Sequence, residues 1–197
     1  MKIGFDDFIE NLSNSLTHLN RTSNGPPQAG VLVPFYKYQG LPYLLLTERS
    51  PQLRTHSGQI AFPGGTREDC DHDIVDTALR ECQEEVGIQR DAIQILGKFH
   101  DFATPYYQSV TPIVATFDYP YEFVIQESEI ARILHVPFHE LLEKAVYHNE
   151  IWEYEAKNYT LHFYDWVDQS GRHNNIWGAT GEVIHKLLGI LYPEDNG

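Results

Sequence analysis

The alternation of strand-like and helix-like segments predicts an α/β protein built on a mixed sheet. Three observations carry that prediction. Apolar residues recur at helical spacing near the N-terminus, around Ala78 and near the C-terminus. Runs rich in β-branched and aromatic residues lie between these segments. Glycine and proline mark several of the junctions.

The elements follow in chain order. Phe5, Phe8, Ile9, Leu12, Leu16 and Leu19 predict an N-terminal amphipathic helix within residues 1–24. Asn24-Gly25-Pro26-Pro27 ends it, and residues 25–197 form the main domain. Residues 29–38 and 42–47 read as strands joined by a turn around Gly40, and residues 59–62 as a further short strand. Asp73 is placed to cap a helix with Asp76 in its first turn, and Gly87 ends that helix. Residues 93–100, 110–117 and 130–137 are strand candidates. Pro137 opens a short helix through Ala145, since a first-turn proline loses no hydrogen bond. Residues 151–155 and 159–166 suggest an aromatic-rich hairpin, and residues 179–191 a closing helix.

Composition narrows the function. With 197 residues, 42% of them hydrophobic, the chain can bury one sizeable core. No run of 18 apolar residues occurs, so no membrane helix is expected. Asp6, Asp7 and Glu10 make the N-terminus acidic and unlike a secretory signal. Cys70 and Cys82 form no paired metal motif, and the reading expects a reduced, cytoplasmic setting. A formal net charge of −14 argues against nucleic acid as a partner. A phosphate-rich ligand then needs local positive charge, and Arg49, Arg54, Arg67 and Arg80 cluster in one region.

The stretch ALRECQEEVGI, residues 78–88, carries the chemistry. At about 100° per residue, Glu81, Glu84 and Glu85 share one helix face, with Val75, Leu79, Cys82 and Val86 opposite. Three crowded acids repel one another, and a hard divalent cation gives a reason to collect them. A solvated acidic surface is the plain alternative. Phe62-Pro63-Gly64-Gly65 just upstream adds a backbone loop able to approach a ligand closely. Asp69, Asp71 and Asp73 alternate like a calcium loop, but Ile74 and Arg80 stand where such a loop needs Gly and Glu. No pair of histidines has zinc-ligand spacing.

Gly65, the acidic run to Asp73, and Arg80-Glu81-Cys82-Gln83-Glu84-Glu85-Val86-Gly87-Ile88 resemble the signature of the Nudix hydrolases. The second half matches at every specified position. In the first half the usual spacing would fall on Thr66 and His72, and this chain offers Gly65 and Asp71 instead. A second motif, LLTERSPQLRTHSGQIAFPGG at residues 45–65, resembles the one that accompanies coenzyme A-hydrolysing members. Its matching residues are Leu45, Leu46, Thr47, Arg49, Ser50, Arg54, Gly58 and Phe62 to Gly65. Ile176-Trp177-Gly178-Ala179-Thr180 resembles the ending of that branch.

The resemblance implies an α/β/α sandwich and metal-assisted hydrolysis of a diphosphate bond in CoA or a derivative. It implies Mg²⁺ or Mn²⁺ held by Glu81, Glu84, Glu85 and the Gly65 carbonyl. Glu81, Glu84, Arg80 and Glu129 form the expected catalytic set; Arg80 orients Glu84 from i,i+4 spacing, and Glu129 matches an acid preceding an apolar strand that ends in Pro. Arg49, Arg54, His56, Gly58, Phe62 and Gly64 form the expected substrate-binding set, with His56 given no catalytic role. Two rivals stand beside this reading: a Nudix enzyme for ADP-ribose, NADH or another nucleoside diphosphate derivative, and a Nudix-fold binding module without catalysis. The N-terminal helix packs either on its own domain or on a second copy, which leaves a homodimer open.

Overall fold

A computed structural model describes residues 3–23, 25–104, 109–154 and 157–193. The elements are α1 (Phe5–Thr17), β1 (Ala29–Tyr38), β2 (Leu41–Arg49), β3 (Ile60–Ala61), β4 (Gly64–Thr66) and α2 (Ile74–Val86). They continue as β5 (Ile93–Lys98), β6 (Val110–Phe117), β7 (Ile130–Pro137), β8 (Tyr147–Tyr154), β9 (Lys157–Val167), β10 (His173–Ile176) and α3 (Gly178–Leu191).

β1 is the axis of the fold. It pairs antiparallel with β2 and β4 and parallel with β6, while β2 also carries β3 and β7. Among the described residues this makes one seven-stranded mixed sheet and a separate three-stranded sheet, β10-β9-β8. Alternation along the strands then builds two cores. Leu32, Tyr36, Tyr43 and Leu45 meet Ile74, Ala78, Cys82 and Val86 of α2 on one face. Val33, Phe35, Leu44 and Leu46 meet α1, α3 and the small sheet on the other. The expected α/β/α sandwich is thus the observed architecture. No helix among the described residues is long and apolar enough to cross a membrane.

The N-terminal helix packs on its own domain. Phe8, Leu12 and Leu16 are buried, and Phe8 stacks edge-on to both Phe35 and Phe138 at ring separations of 5.0 and 5.4 Å. The helix stops at Thr17, before Leu19.

Four local readings differ from expectation. The helix expected over residues 137–145 is a 3-10 turn, Phe138–Leu142. Its two anchors, Phe138 and Leu141, are both buried, and their spacing suits three residues per turn. β4 was not anticipated because two of its three residues are glycines, which carry no side-chain pattern. β10 was not anticipated because His173, Asn174 and Asn175 read as a loop. β8 starts at Tyr147, ahead of the expected residue 151, across the polar stretch His148-Asn149-Glu150. Asn24 of the expected linker and Glu155 of the expected hairpin lie outside the described residues.

Because α1 supplies part of the main core, Phe8→Ala is expected to destabilise the whole domain by about 3–5 kcal/mol. Denaturant unfolding would read this as one cooperative shift; a local loss of helix with an unchanged midpoint would contradict it.

Candidate active site

The site is organised by helix α2. Asp73 caps it, accepting from the N–H groups of Val75 and Asp76 at 2.8 and 3.1 Å. Gly87 closes it in the left-handed region at φ 79°, where a side chain would be strained. A Cβ there would also stand 2.8 Å from the Val124 nitrogen. The strap from Asp118 to Glu129 needs that space. Its Val124 and Gln126 N–H groups cap the carbonyls of Val86 and Glu85 at 3.1 and 3.0 Å. These are carbonyls that a helix end leaves without internal partners.

Arg80 ties the helix to the preceding loop. Its Nε and Nη2 grip the two oxygens of Asp71 at 3.0 and 3.1 Å. Nη2 also donates to the Thr66 carbonyl at 3.0 Å. Nη1 donates to Glu81 at 3.0 Å and to Glu84 at 3.1 Å. Asp71 is buried and also accepts from Thr77 Oγ1 and the Glu68 N–H, each at 2.9 Å. The Arg80 guanidinium, helped by those donors, holds the Asp71 carboxyl well below the usual carboxylate range.

The three glutamates do not form one solvated face. Glu85 lies within the buried stripe beside Ala78 and Cys82 and is only 3% exposed. Glu81 is half-buried, and the Glu84 side chain is 59% exposed. The expected apolar face also shifts: Ile74, Ala78, Cys82 and Val86 are buried, whereas Val75 and Leu79 are only partly so. Burial pushes the Glu85 carboxyl up to about 8, with Arg49 opposing and the charges of Glu81 and Glu129 adding to the rise. Burial likewise raises Glu81, against the pull of Arg80.

Backbone surrounds these carboxylates. The Gly64 N–H donates to Glu85 Oε2 at 3.2 Å. A Cβ on Gly65 would sit 2.5 Å from the Glu81 carboxyl carbon, so only glycine lets that carboxylate lie against the chain. Among the described residues no group of three Asp, Glu, His or Cys side chains already stands as a metal cage. The donor set nevertheless fits a hard divalent cation. Two crowded, partly desolvated carboxylates beside a backbone turn are oxygen ligands whose repulsion such an ion relieves.

The loop between β2 and β3 adjoins this face. Arg49 Nη1 lies 3.8 Å from Glu85 Oε1, and its Nε is buried with no hydrogen-bond partner. Arg49 N–H donates to the Gln59 carbonyl and Gly58 N–H to the Arg49 carbonyl, at 2.9 and 3.1 Å, closing the loop on itself. Arg54 is exposed on it. His56 takes a positive φ of 57°, and its Nδ1 hydrogen-bonds Gln59 Oε1 at 2.7 Å. Ser50 N–H donates to the Glu129 carbonyl at 2.7 Å, which seats Glu129 between loop and helix. The Glu129 side chain is exposed, and its charge reaches both Glu81 and Glu85. The structure therefore gathers Glu81, Glu85, Gly64, Gly65, Arg49 and Glu129, holds Glu84 against Arg80, and leaves Arg54, His56 and Gly58 on the adjoining loop. Phe62 is buried in the α1–α3 core and anchors the loop's end there.

Sequence reasoning missed two features. The bidentate role of Asp71 was hidden because its partner is nine residues away. The strap's capping bonds are backbone to backbone, and no side-chain pattern announces them. Glu48 faces away from the site, bonded to Arg132 at 2.6 Å and to Arg172 at 2.8 Å, and joins β2 to the small sheet.

A family model described as the NUDIX domain matches residues 26–175. An uncharacterized Nudix hydrolase, NudL of Photorhabdus laumondii subsp. laumondii, is 36% identical over 186 residues, covering 94% of this chain and 96% of that protein. A NudL of Yersinia pestis is 35% identical over 174 residues, covering 88% and 84%. Among solved structures, the Nudix hydrolase RenU of M. smegmatis matches with a TM-score of 0.50 at 19% identity, over 58% of this chain and 73% of that one. At that identity the structural likeness concerns the fold alone.

Asp71→Asn removes the two-pronged grip on Arg80 while Glu81 and Glu84 stay paired with it, and is expected to cost about 1.5–3 kcal/mol at neutral pH. Pairing lowers the folded value of Asp71, so its contribution is complete above about pH 5, begins to fade as pH falls below the ordinary carboxylate value, and is lost as pH falls through the lowered folded value. Unfolding midpoints of wild type and variant should therefore converge in acid; a gap constant with pH would contradict the assignment.

Proposed function

The chain belongs to the Nudix hydrolase family, enzymes that act on diphosphate bonds, and on that premise we propose that it cleaves coenzyme A or a CoA derivative. Nudix hydrolases generally use divalent metal ions, and here Mg²⁺ or Mn²⁺ is proposed. The products would be 3′,5′-ADP and 4′-phosphopantetheine, acylated where the substrate is. The observation that supports this most is the junction of two motifs. The loop of residues 45–65, which resembles the CoA motif, meets the glutamate face through Arg49 at Glu85 and through Ser50 at Glu129.

Glu81, Glu85 and the Gly65 carbonyl would hold the cation, with Glu84 the third carboxylate of the set. When bound, the ion supplies positive charge to the phosphoryl oxygens and lowers the pKa of water. The protein's own groups do the rest. Glu84 is assigned the water's proton, since it is the exposed carboxylate and Arg80 fixes its direction. Glu129 is the second acid within reach of the same face. Arg49 offers its unpartnered Nε and its charge to the diphosphate, and Gly64 keeps an N–H on that side. Arg54 is proposed for the 3′-phosphate, which a planar guanidinium can grip with two bonds. His56 and Gly58 shape the loop that carries it, and Phe62 holds the loop's end in the core. These placed cations offset the repulsion that a net charge of −14 exerts on an anionic substrate.

The test is a substrate panel of CoA, dephospho-CoA, acetyl-CoA, ADP-ribose and NADH with Mg²⁺ or Mn²⁺. Cleavage of CoA into 3′,5′-ADP and phosphopantetheine supports the proposal. Preference for ADP-ribose or NADH would keep the chemistry and discard the substrate; no turnover on any member would favour a binding module. A positioned general base is worth about 10²–10⁴-fold, so Glu84→Gln is expected to lower kcat/KM by at least about 100-fold. Arg54→Ala should weaken kcat/KM for CoA by about 10–100-fold while leaving dephospho-CoA nearly unchanged. Equal losses on both substrates would remove Arg54 from the 3′-phosphate.

A further inference from the structure

A hollow opens beside the exposed glutamate. The last turn of α2 and the strap leave a cavity of about 320 Å³ between them. Ligand pockets start at about 300 Å³. Glu84 is part of its wall, and Val124, 68% exposed, and Ile125 line it from the strap. Gln83 and Gln89 line the helix side with their amides already oriented. Gln83 Nε2 donates to Gln89 Oε1 at 3.2 Å, and Gln89 Nε2 donates to the Gly87 carbonyl at 3.3 Å. The Gln89 backbone N–H donates in turn to the Tyr121 hydroxyl at 2.9 Å. This wall leaves Gln83 Oε1 as an acceptor and the second hydrogen of each side-chain amide as a donor.

Charge selects what such a cavity can hold. Among the described residues its one ionisable group is Glu84, and no lysine or arginine lines it. An anionic group there would meet a carboxylate and no cation. Arg49 and Arg54 stand at the loop after β2, which meets the strap at Glu129 through the Ser50 N–H. The cavity meets the same strap at Val124 to Gln126, where the Gln126 N–H caps the Glu85 carbonyl. One side of the glutamate turn thus carries arginines, and another a neutral, partly apolar hollow. Among the described residues no aromatic ring lines that hollow, so a nucleobase would lack a stacking surface there. We propose that the cavity holds the neutral, amide-bearing arm of the diphosphate substrate, pantetheine in the case of CoA, while the anionic nucleotide arm follows the arginine loop. The assignment rests on the CoA reading above and adds which arm goes where. Pantetheine carries two amides, which complement those of Gln83 and Gln89. It also carries two methyl groups close to its phosphate end, which suit Val124 and Ile125.

The test treats the two arms separately. CoA hydrolysis is inhibited with 4′-phosphopantetheine or with 3′,5′-ADP, in wild type and in Val124→Trp, whose larger ring fills the cavity. Val124 is exposed and keeps its N–H on the Val86 carbonyl, so the thermal midpoint should stay unchanged. Inhibition by phosphopantetheine should weaken at least about tenfold. Inhibition by 3′,5′-ADP should change by less than about twofold. KM for CoA should rise with kcat nearly kept. Gln89→Ala should shift the same inhibitor in the same direction by about 2–10-fold. Equal losses for both inhibitors, or a loss confined to 3′,5′-ADP, would overturn the proposal. A second readout needs no turnover and no metal: pantetheine is titrated into ¹⁵N-labelled protein. Shifts at the backbone amides of Gln89, Val124, Ile125 and Gln126 support the cavity. Shifts confined to residues 50–58, or none up to about 10 mM pantetheine, would overturn it. CoA cleavage without shifts at the cavity would remove the arm assignment and leave the substrate reading standing. Shifts at the cavity without CoA cleavage would keep the cavity's ligand and remove the substrate reading.

Discussion

A guanidinium presents its donors in one plane, and Arg80 directs that plane at Asp71, the Thr66 carbonyl, Glu81 and Glu84. The contacts come from three separate stretches of chain. Asp71 lies in the loop before α2, Thr66 in β4, and the glutamates on the helix itself. Held at its middle turn by Asp71 and Thr66, α2 cannot slide or roll against β4 without breaking several bonds from one guanidinium at once. Such bonds are about twice as strong as neutral ones. The fixed helix then fixes where each carboxylate stands. A lysine would supply charge without the fork that makes this possible.

The far end of the helix is held by different means. Gly87 turns the chain, and the strap that follows β6 gives Val124 and Gln126 N–H groups to the last carbonyls. The same strap ends at Glu129, whose carbonyl receives Ser50 of the loop after β2. One continuous segment therefore caps α2, delivers an acid and pins the neighbouring loop. A carboxylate as buried as Glu85 is costly, and this framework keeps it in place. Gly64 N–H and Arg49 offset part of the cost, and burial still holds the Glu85 carboxyl above its ordinary value against them.

Much of this was legible in the sequence because it is local. The cap at Asp73, the stop at Gly87, and strands β1, β6 and β7 depend on neighbours a few residues away. The periodicities of two and of three to four residues report such neighbours well. What escaped depends on partners distant in the chain. Asp71 meets Arg80 across nine residues, and Glu48 meets Arg172 across 124. β4 pairs with β1 through glycines that show no pattern. Spacing put the three glutamates on one face opposite Cys82, and spacing alone could not tell that Glu85 instead joins Ala78 and Cys82 in the buried stripe. That follows from the sheet packed beneath α2.

The exposure gradient across Glu85, Glu81 and Glu84 has a chemical consequence of its own. A carboxylate enclosed by Ala78, Cys82, Gly64 and Arg49 has no freedom to follow a proton, but it can hold a cation in a fixed place. Glu81, pressed against the Gly65 backbone, is constrained almost as tightly. Glu84 is tethered only through Arg80 and faces solvent, where a proton can be accepted and passed on. One helix turn thus ranks its three acids from immobile to accessible. That ranking supports giving the buried pair the metal and the exposed acid the proton. It also accounts for the otherwise unfavourable choice of an acid in the core stripe of α2, a position that apolar packing alone would fill with a residue like its neighbours Ala78 and Cys82.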